Sequence, residues 1–239
     1  MYKPIADGIG VVDGPLVYMT YPGLRFLKVP FPTRMTVVKL PSGGLWLHSP
    51  IAFDRALAAA LSAMGPIRHL VSPNKIHYVH IRAWKDAFPE AIAWASPGVR
   101  ERARAQAIPV AFDADLARDA PESWEGSLKQ TIIHGGFMDE VAFFHLPSRT
   151  LILADGIENF ELDKIKQPYR FLVWATGANH PHGQMPIDLR STFWPKKREV
   201  RAAVEEMMAW KPERIIVSHG RCIESDAVGS LRFAFRWAL

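Results

Sequence analysis

The chain has 239 residues, 49% of them hydrophobic and 22% charged, enough to bury one substantial core and unlike the composition of a disordered chain. Its 29 basic and 24 acidic residues leave a net charge of +5, too small and scattered for a dedicated nucleic-acid surface; the densest run, Lys196-Lys197-Arg198, reads as a solvated helix start. The one cysteine, Cys222, excludes an internal disulfide framework and a cysteine metal cluster, and with no secretory signal and no long apolar run the expectation is a cytoplasmic chain without a membrane span.

In chain order, Gly10-Val11-Val12 and Leu16-Val17-Tyr18 flank Asp13-Gly14, a hairpin signal. Residues 34–40 are rich in β-formers and lead through Pro41-Ser42-Gly43-Gly44 to Leu45-Trp46-Leu47-His48, a second hairpin. Residues 54–64 read as a helix stopped by Gly65-Pro66, 67–71 as a strand, 76–88 as a helix ending at Pro89, 91–95 as a strand and 97–106 as a polar helix. In the second half, strands are expected over 140–145, 150–154, 171–175 and 214–217, with helices over 198–210 and 224–237. Residues 159–170 and 177–194 read as irregular surface segments of the kind that form functional rims. Strands precede helices in each half, an order that two β-layers covered by outer helices satisfy. One domain over 1–239 is the simplest organisation.

Three apolar strands each run into polar, metal-capable residues. They are Leu70-Val71-Ser72-Pro73-Asn74-Lys75-Ile76-His77, Leu151-Ile152-Leu153-Ala154-Asp155 and Ile215-Ile216-Val217-Ser218-His219-Gly220. If these strand ends meet at one edge, Asn74, His77, Asp155 and His219 converge. Imidazole and carboxylate are the donors that Zn, Fe or Mn sites use. A metal there lowers the pKa of bound water and polarises a substrate oxygen. Asp155 carries the most weight, because an ionised carboxylate after an apolar strand is rarely buried unpaired. His77 can also be a helix cap, His219 a turn residue and Asn74 an Asx-turn. Glu140 is a weaker candidate, as a pocket anchor or an arginine partner. His80, His145, His180 and His182 read as packing or surface residues, the tryptophans as core, and Cys222 lacks the surroundings of a nucleophile.

These segments resemble the metallo-β-lactamase superfamily, and within it an uncharacterised branch. The resemblance covers nearly the whole chain: the N-terminal hairpins, Ser-Pro-Asn-x-x-His with Trp84 following, Phe-Phe-His-x-x-Ser-Arg-Thr-Leu-Ile-x-x-Asp, and the strand-borne Ser-His-Gly. It implies a four-layer αββα sandwich and a metal-dependent hydrolase of an ester, lactone, thioester or phosphoester. The superfamily hallmark H-x-H-x-D-H is degenerate here. Ser72, Asn74 and Ile76 stand where it has His, His and Asp, and only His77 survives. Asp155 matches the bridging Asp and His219 the last His. Gly135-Gly136-Phe137 occupies the place of Gly-His-Thr, with His134 two residues away as a possible substitute. The resemblance thus implies one depleted subsite and one built from His77, Asp155 and His219, with Asn74 and His134 as further metal candidates and His77 and Asp155 as the catalytic candidates. One Zn, Fe or Mn ion, or no metal, is compatible with this set. The two functional classes it leaves open are a hydrolase acting on a small molecule and a non-catalytic binding or scaffold protein with a relic pocket; nucleic-acid processing is the weaker third.

Overall fold

The computed structural model describes residues 1–21 and 24–239, with side chains outside 19–29. In chain order the elements are β1 (Tyr2–Ala6), β2 (Ile9–Asp13), β3 (Val17–Tyr21), β4 (Leu24–Phe31), β5 (Arg34–Lys39), β6 (Leu45–His48), α1 (Arg55–Ser62), β7 (Ile67–Ser72), α2 (Ile81–Ala87), β8 (Ile92–Ala95), α3 (Val99–Ala105), β9 (Ala114–Asp115), β10 (Leu128–Ile133), β11 (Glu140–His145), β12 (Thr150–Leu153), α4 (Tyr169–Thr176), α5 (Ile187–Ser191), α6 (Lys197–Ala209), β13 (Arg214–Val217) and α7 (Ala227–Ala234). One sheet has the order β1-β2-β5-β6-β7-β8-β9, a second β10-β11-β12-β13, and β3-β4 form a separate ribbon.

Side-chain alternation sorts these sheets into layers. On β11, Val141 and Phe143 face the first sheet, where they join Trp46, Val71 and Trp94; Ala142 and Phe144 face the other way, towards Val200, Val204 and Leu231 of α6 and α7. On β5 and β6, Met35, Val37, Leu45 and Leu47 face Leu61, Ile81, Trp84 and Val99 of α1, α2 and α3. Three apolar seams therefore separate four layers, helix–sheet–sheet–helix, which is the αββα sandwich expected from the sequence.

Strands β6, β7 and β8 run parallel in the first sheet, as do β12 and β13 in the second. Chain segments leaving the carboxyl ends of β6, β7, β12 and β13 therefore emerge on one edge of the sandwich. That edge carries Ser49, Asn74, His77, Asp155 and His219.

Three local expectations need correction. The Asp13-Gly14 hairpin does not form: β2 pairs with β1 and β5, and β3 with β4. Pro15 follows the turn and has no N–H to give a ladder, while the Gly14 N–H donates to Thr33 O instead. Residues 171–175 lie in a helix, α4, not a strand. Val173 alone faces inward there while Phe171 and Trp174 stay exposed; a short apolar run does not by itself separate the two states. The helix expected from residue 76 begins only at Ile81, because the Asn74 side chain takes the N–H groups of Ile76 and His77 and holds 75–80 as turns. Strands β9 and β10 had no clear sequence signal.

Candidate metal centre

His77, Asp155 and His219 meet. His77 Nε2 lies 3.1 Å from Asp155 Oδ2, His219 Nε2 lies 3.2 Å from Asp155 Oδ1, and the two Nε2 atoms are 3.2 Å apart. The side chains are 10%, 3% and 6% exposed in the order His77, Asp155, His219. The far nitrogen of each imidazole is anchored. His219 Nδ1 donates to Pro32 O at 2.7 Å, and His77 Nδ1 sits 2.6 Å from Ser49 Oγ. A carbonyl can only accept, so Nδ1 of His219 carries a proton, and Nε2 is the atom turned to the centre. Phe31 and Phe160 wall His219, with ring centroids at 5.6 and 6.4 Å.

Burial by itself would raise the Asp155 pKa, but the imidazoles of His77 and His219 more than reverse this and hold it well below the ordinary carboxylate range. Asn74 Nδ2 adds a donor to Oδ2 at 2.7 Å. Behind Asp155 lies a second carboxylate, Glu140. It accepts from the backbone N–H groups of Ala154, Asp155 and Gly156 at 2.7–3.1 Å and from Asn74 Nδ2 at 3.2 Å. Burial, then the Asp155 charge, raises the Glu140 pKa above the ordinary carboxylate value, and the backbone donors offset this only in part. Every hydrogen-bond partner of this carboxyl is a donor, so in hydrogen bonding the cage suits the ionised form.

Fit to a metal can be judged on these distances. Donors about 2.0–2.1 Å from a tetrahedral zinc stand about 3.3 Å from one another. The two Nε2 atoms, 3.2 Å apart, match that edge length, and each ring faces its own Asp155 oxygen at 3.1–3.2 Å. One ligand atom from each of the three residues lies within 4.8 Å of the others, and two imidazoles with one carboxylate suit Zn, Fe or Mn. His77, Asp155 and His219 therefore fit one ion and leave a coordination position for water or substrate.

Asn74 and His134 are placed differently. The Asn74 oxygen accepts from the backbone at Ile76 and His77, and its nitrogen faces the two carboxylates. It orients Asp155 rather than offering the centre a lone pair. His134 is outside the cluster, with Nδ1 3.1 Å from Asp139 Oδ2 and a half-exposed ring. Ser72 is buried, and its hydroxyl donates to Asn74 O. His145 bonds Ser148 at the far end of β11. Sequence reasoning missed four neighbours: Ser49, Pro32, Arg34 and His48. Arg34 Nη1 donates to Val217 O at 2.8 Å and Gly220 O at 2.6 Å, clamping the turn that carries His219. His48 is fully buried against Trp46 and Phe143, neither ring nitrogen has a hydrogen-bond partner among the described residues, and burial followed by the nearby His77 lowers its pKa to about 3. The one available signal was that His48-Ser49 end an apolar strand, as the other site segments do.

The fold is that of the metallo-β-lactamases. Solved structures of that kind cover the whole chain. A metallo-β-lactamase from Pontibacter korlensis is 13% identical with a TM-score of 0.63 over 98% of its own chain. The FIM-1 metallo-β-lactamase from Pseudomonas aeruginosa in a mono-zinc form is 14% identical, with a TM-score of 0.62 over 96%. The metal-soaked Flv1 flavodiiron core from Synechocystis is 11% identical, with a TM-score of 0.62 over 60%. At these identities the likeness speaks for the fold alone. No curated protein matches the chain. The family model for the domain of unknown function DUF4336 matches residues 21–167, and the chain belongs to that family.

Proposed function

We propose that this protein is a metal-dependent hydrolase that holds one metal ion through His77, Asp155 and His219 and cleaves a small-molecule ester, lactone, thioester or phosphoester. The observation that carries this reading is the facing of two imidazole nitrogens, 3.2 Å apart, each 3.1–3.2 Å from one oxygen of the Asp155 carboxylate, with the far side of both imidazoles already tied down. When bound, a divalent cation supplies Lewis acidity and an acidified water. The chain's own residues supply preorganisation. Pro32 O and Ser49 Oγ fix the two rings, Asn74 donates to the Asp155 carboxylate, and Glu140 holds the backbone around Asp155 through its N–H groups. The modest net charge favours a small molecule over a nucleic acid, and the lone cysteine suits a reducing, cytoplasmic setting.

The test is metal analysis of protein purified without chelator, followed by thermal unfolding with added Zn, Fe or Mn. One equivalent of metal is expected, with a rise in stability of about 2.7 kcal/mol at a hundredfold excess over Kd, lost in His77→Ala and His219→Ala. Wild-type protein that takes up no metal and gains no stability from it refutes the proposal.

A second reading, a non-catalytic protein with a relic pocket, draws on the near-complete burial of the three groups and on Ser72, Asn74 and Ile76 in place of ligands. It predicts that metal-loaded protein turns over none of the four ester classes. A turnover abolished by His77→Ala in a folded protein excludes it.

A further inference from the structure

Away from the metal centre, two arginines converge on one neutral oxygen. Arg190 of α5 donates from Nη1 to Gln184 Oε1 at 2.9 Å, and Arg236, just past α7, donates from Nη1 to the same oxygen at 3.1 Å. Gln184 is buried, and its Nε2 donates to Gly177 O at 3.0 Å, which fixes the amide with its oxygen towards the arginines. Arg236 lies 4.0 Å over the Phe233 ring and donates to Phe233 O at 2.6 Å. His182 packs on the same ring, with centroids 5.0 Å apart.

Among the described residues neither arginine forms an ion pair, and Arg190 Nε is buried without a hydrogen-bond partner. The acids nearby do not cancel the charge. Asp188 is exposed two residues before Arg190. Glu158, whose backbone exchanges hydrogen bonds with that of Gln184, makes no ion pair with either arginine, and its buried Oε2 has no partner among the described residues. Burial and the charges of Asp155, Asp188 and Glu140 raise its pKa well above the ordinary value and favour the neutral acid.

Two guanidinium groups repel one another, and a single amide oxygen offsets little of that repulsion. An oxyanion does so far better, because its oxygens accept several N–H groups at once from the planar forks of two arginines. We propose that Arg190 and Arg236, held together on Gln184 with His182 at the margin, form a binding site for a small oxyanion, a phosphate or carboxylate group. The site is joined to the metal centre by the four-residue segment from Asp155 to Glu158. It does not depend on a metal being bound.

Calorimetric titration of the full chain in chelator with inorganic phosphate and, separately, acetate tests this. Saturable one-site binding is expected, weakened at least tenfold in Arg190→Met and in Arg236→Gln. Binding of phosphate alone assigns the site to phosphoryl groups; binding of both assigns it to oxyanions generally. Should a variant lose its fold, wild-type protein still decides the matter: phosphate must protect Arg190 and Arg236 from phenylglyoxal modification, read by peptide mass. Absence of binding by either anion at about 10 mM, a concentration weaker than any specific site would need, overturns the proposal. So does unchanged affinity in a folded Arg190→Met/Arg236→Gln double variant.

Discussion

Glu140→Gln tests the internal logic of the centre without touching a proposed ligand. The carboxylate of Glu140 is surrounded by donors: Ala154 N and Gly156 N reach Oε1, while Asp155 N, Asn74 Nδ2 and again Gly156 N reach Oε2. Glutamine has nearly the same shape but turns an NH2 group towards one side of that cage. Whichever way the amide settles, about two buried donors lose their acceptor, at about 1–3 kcal/mol each. The expected loss is about 3–5 kcal/mol, a drop of roughly 10 °C in Tm for a chain of this length. Urea unfolding at pH 7 in chelator, followed by tryptophan fluorescence, measures it, provided the slope of the transition is unchanged. A loss below about 1 kcal/mol refutes the reasoning: it would mean that Glu140 is protonated in the native state, which glutamine mimics, and that burial outweighs the donors.

His48 makes stability depend on pH. Its folded pKa, about 3, lies below the ordinary 6.5, so the unfolded chain binds the extra proton as pH falls through that interval. Stability is lost from about pH 6.5 downwards at about 1.4 kcal/mol per unit from this group; His48→Leu should flatten the profile between pH 6.5 and 4 in denaturant titrations, and a slope equal to wild type counts against the assignment. Arg34→Met removes both donors that clamp the His219 turn. It should cost about 2–3 kcal/mol and weaken metal binding at least tenfold; an unaltered zinc affinity by competition titration rules out the clamp.

Much of the site was legible because it is chemically out of place in the sequence. Asp155 and His219 interrupt apolar runs that read as buried strands, and an ionisable group at such a position needs a partner. Asn74 was legible as an Asx-turn, and the structure gives that turn a second use, since the same amide holds Asp155. Illegible were the contacts made by segments distant in the chain. Pro32 and His219 are 187 residues apart, and no periodicity reports which carbonyl faces which imidazole.

The sequence by itself determined the layer order and the polar strand ends, because alternation and apolar runs are local properties that a sheet must obey. Only the tertiary structure decided which of those ends share a centre. Parallel pairing of β6 with β7 and of β12 with β13 brings Ser49, His77, Asp155 and His219 to one edge, while His134, close to the ligand position in sequence, turns to Asp139 instead. Convergence at that edge is a property of strand direction and register, fixed by packing across the whole sandwich rather than by any segment within it.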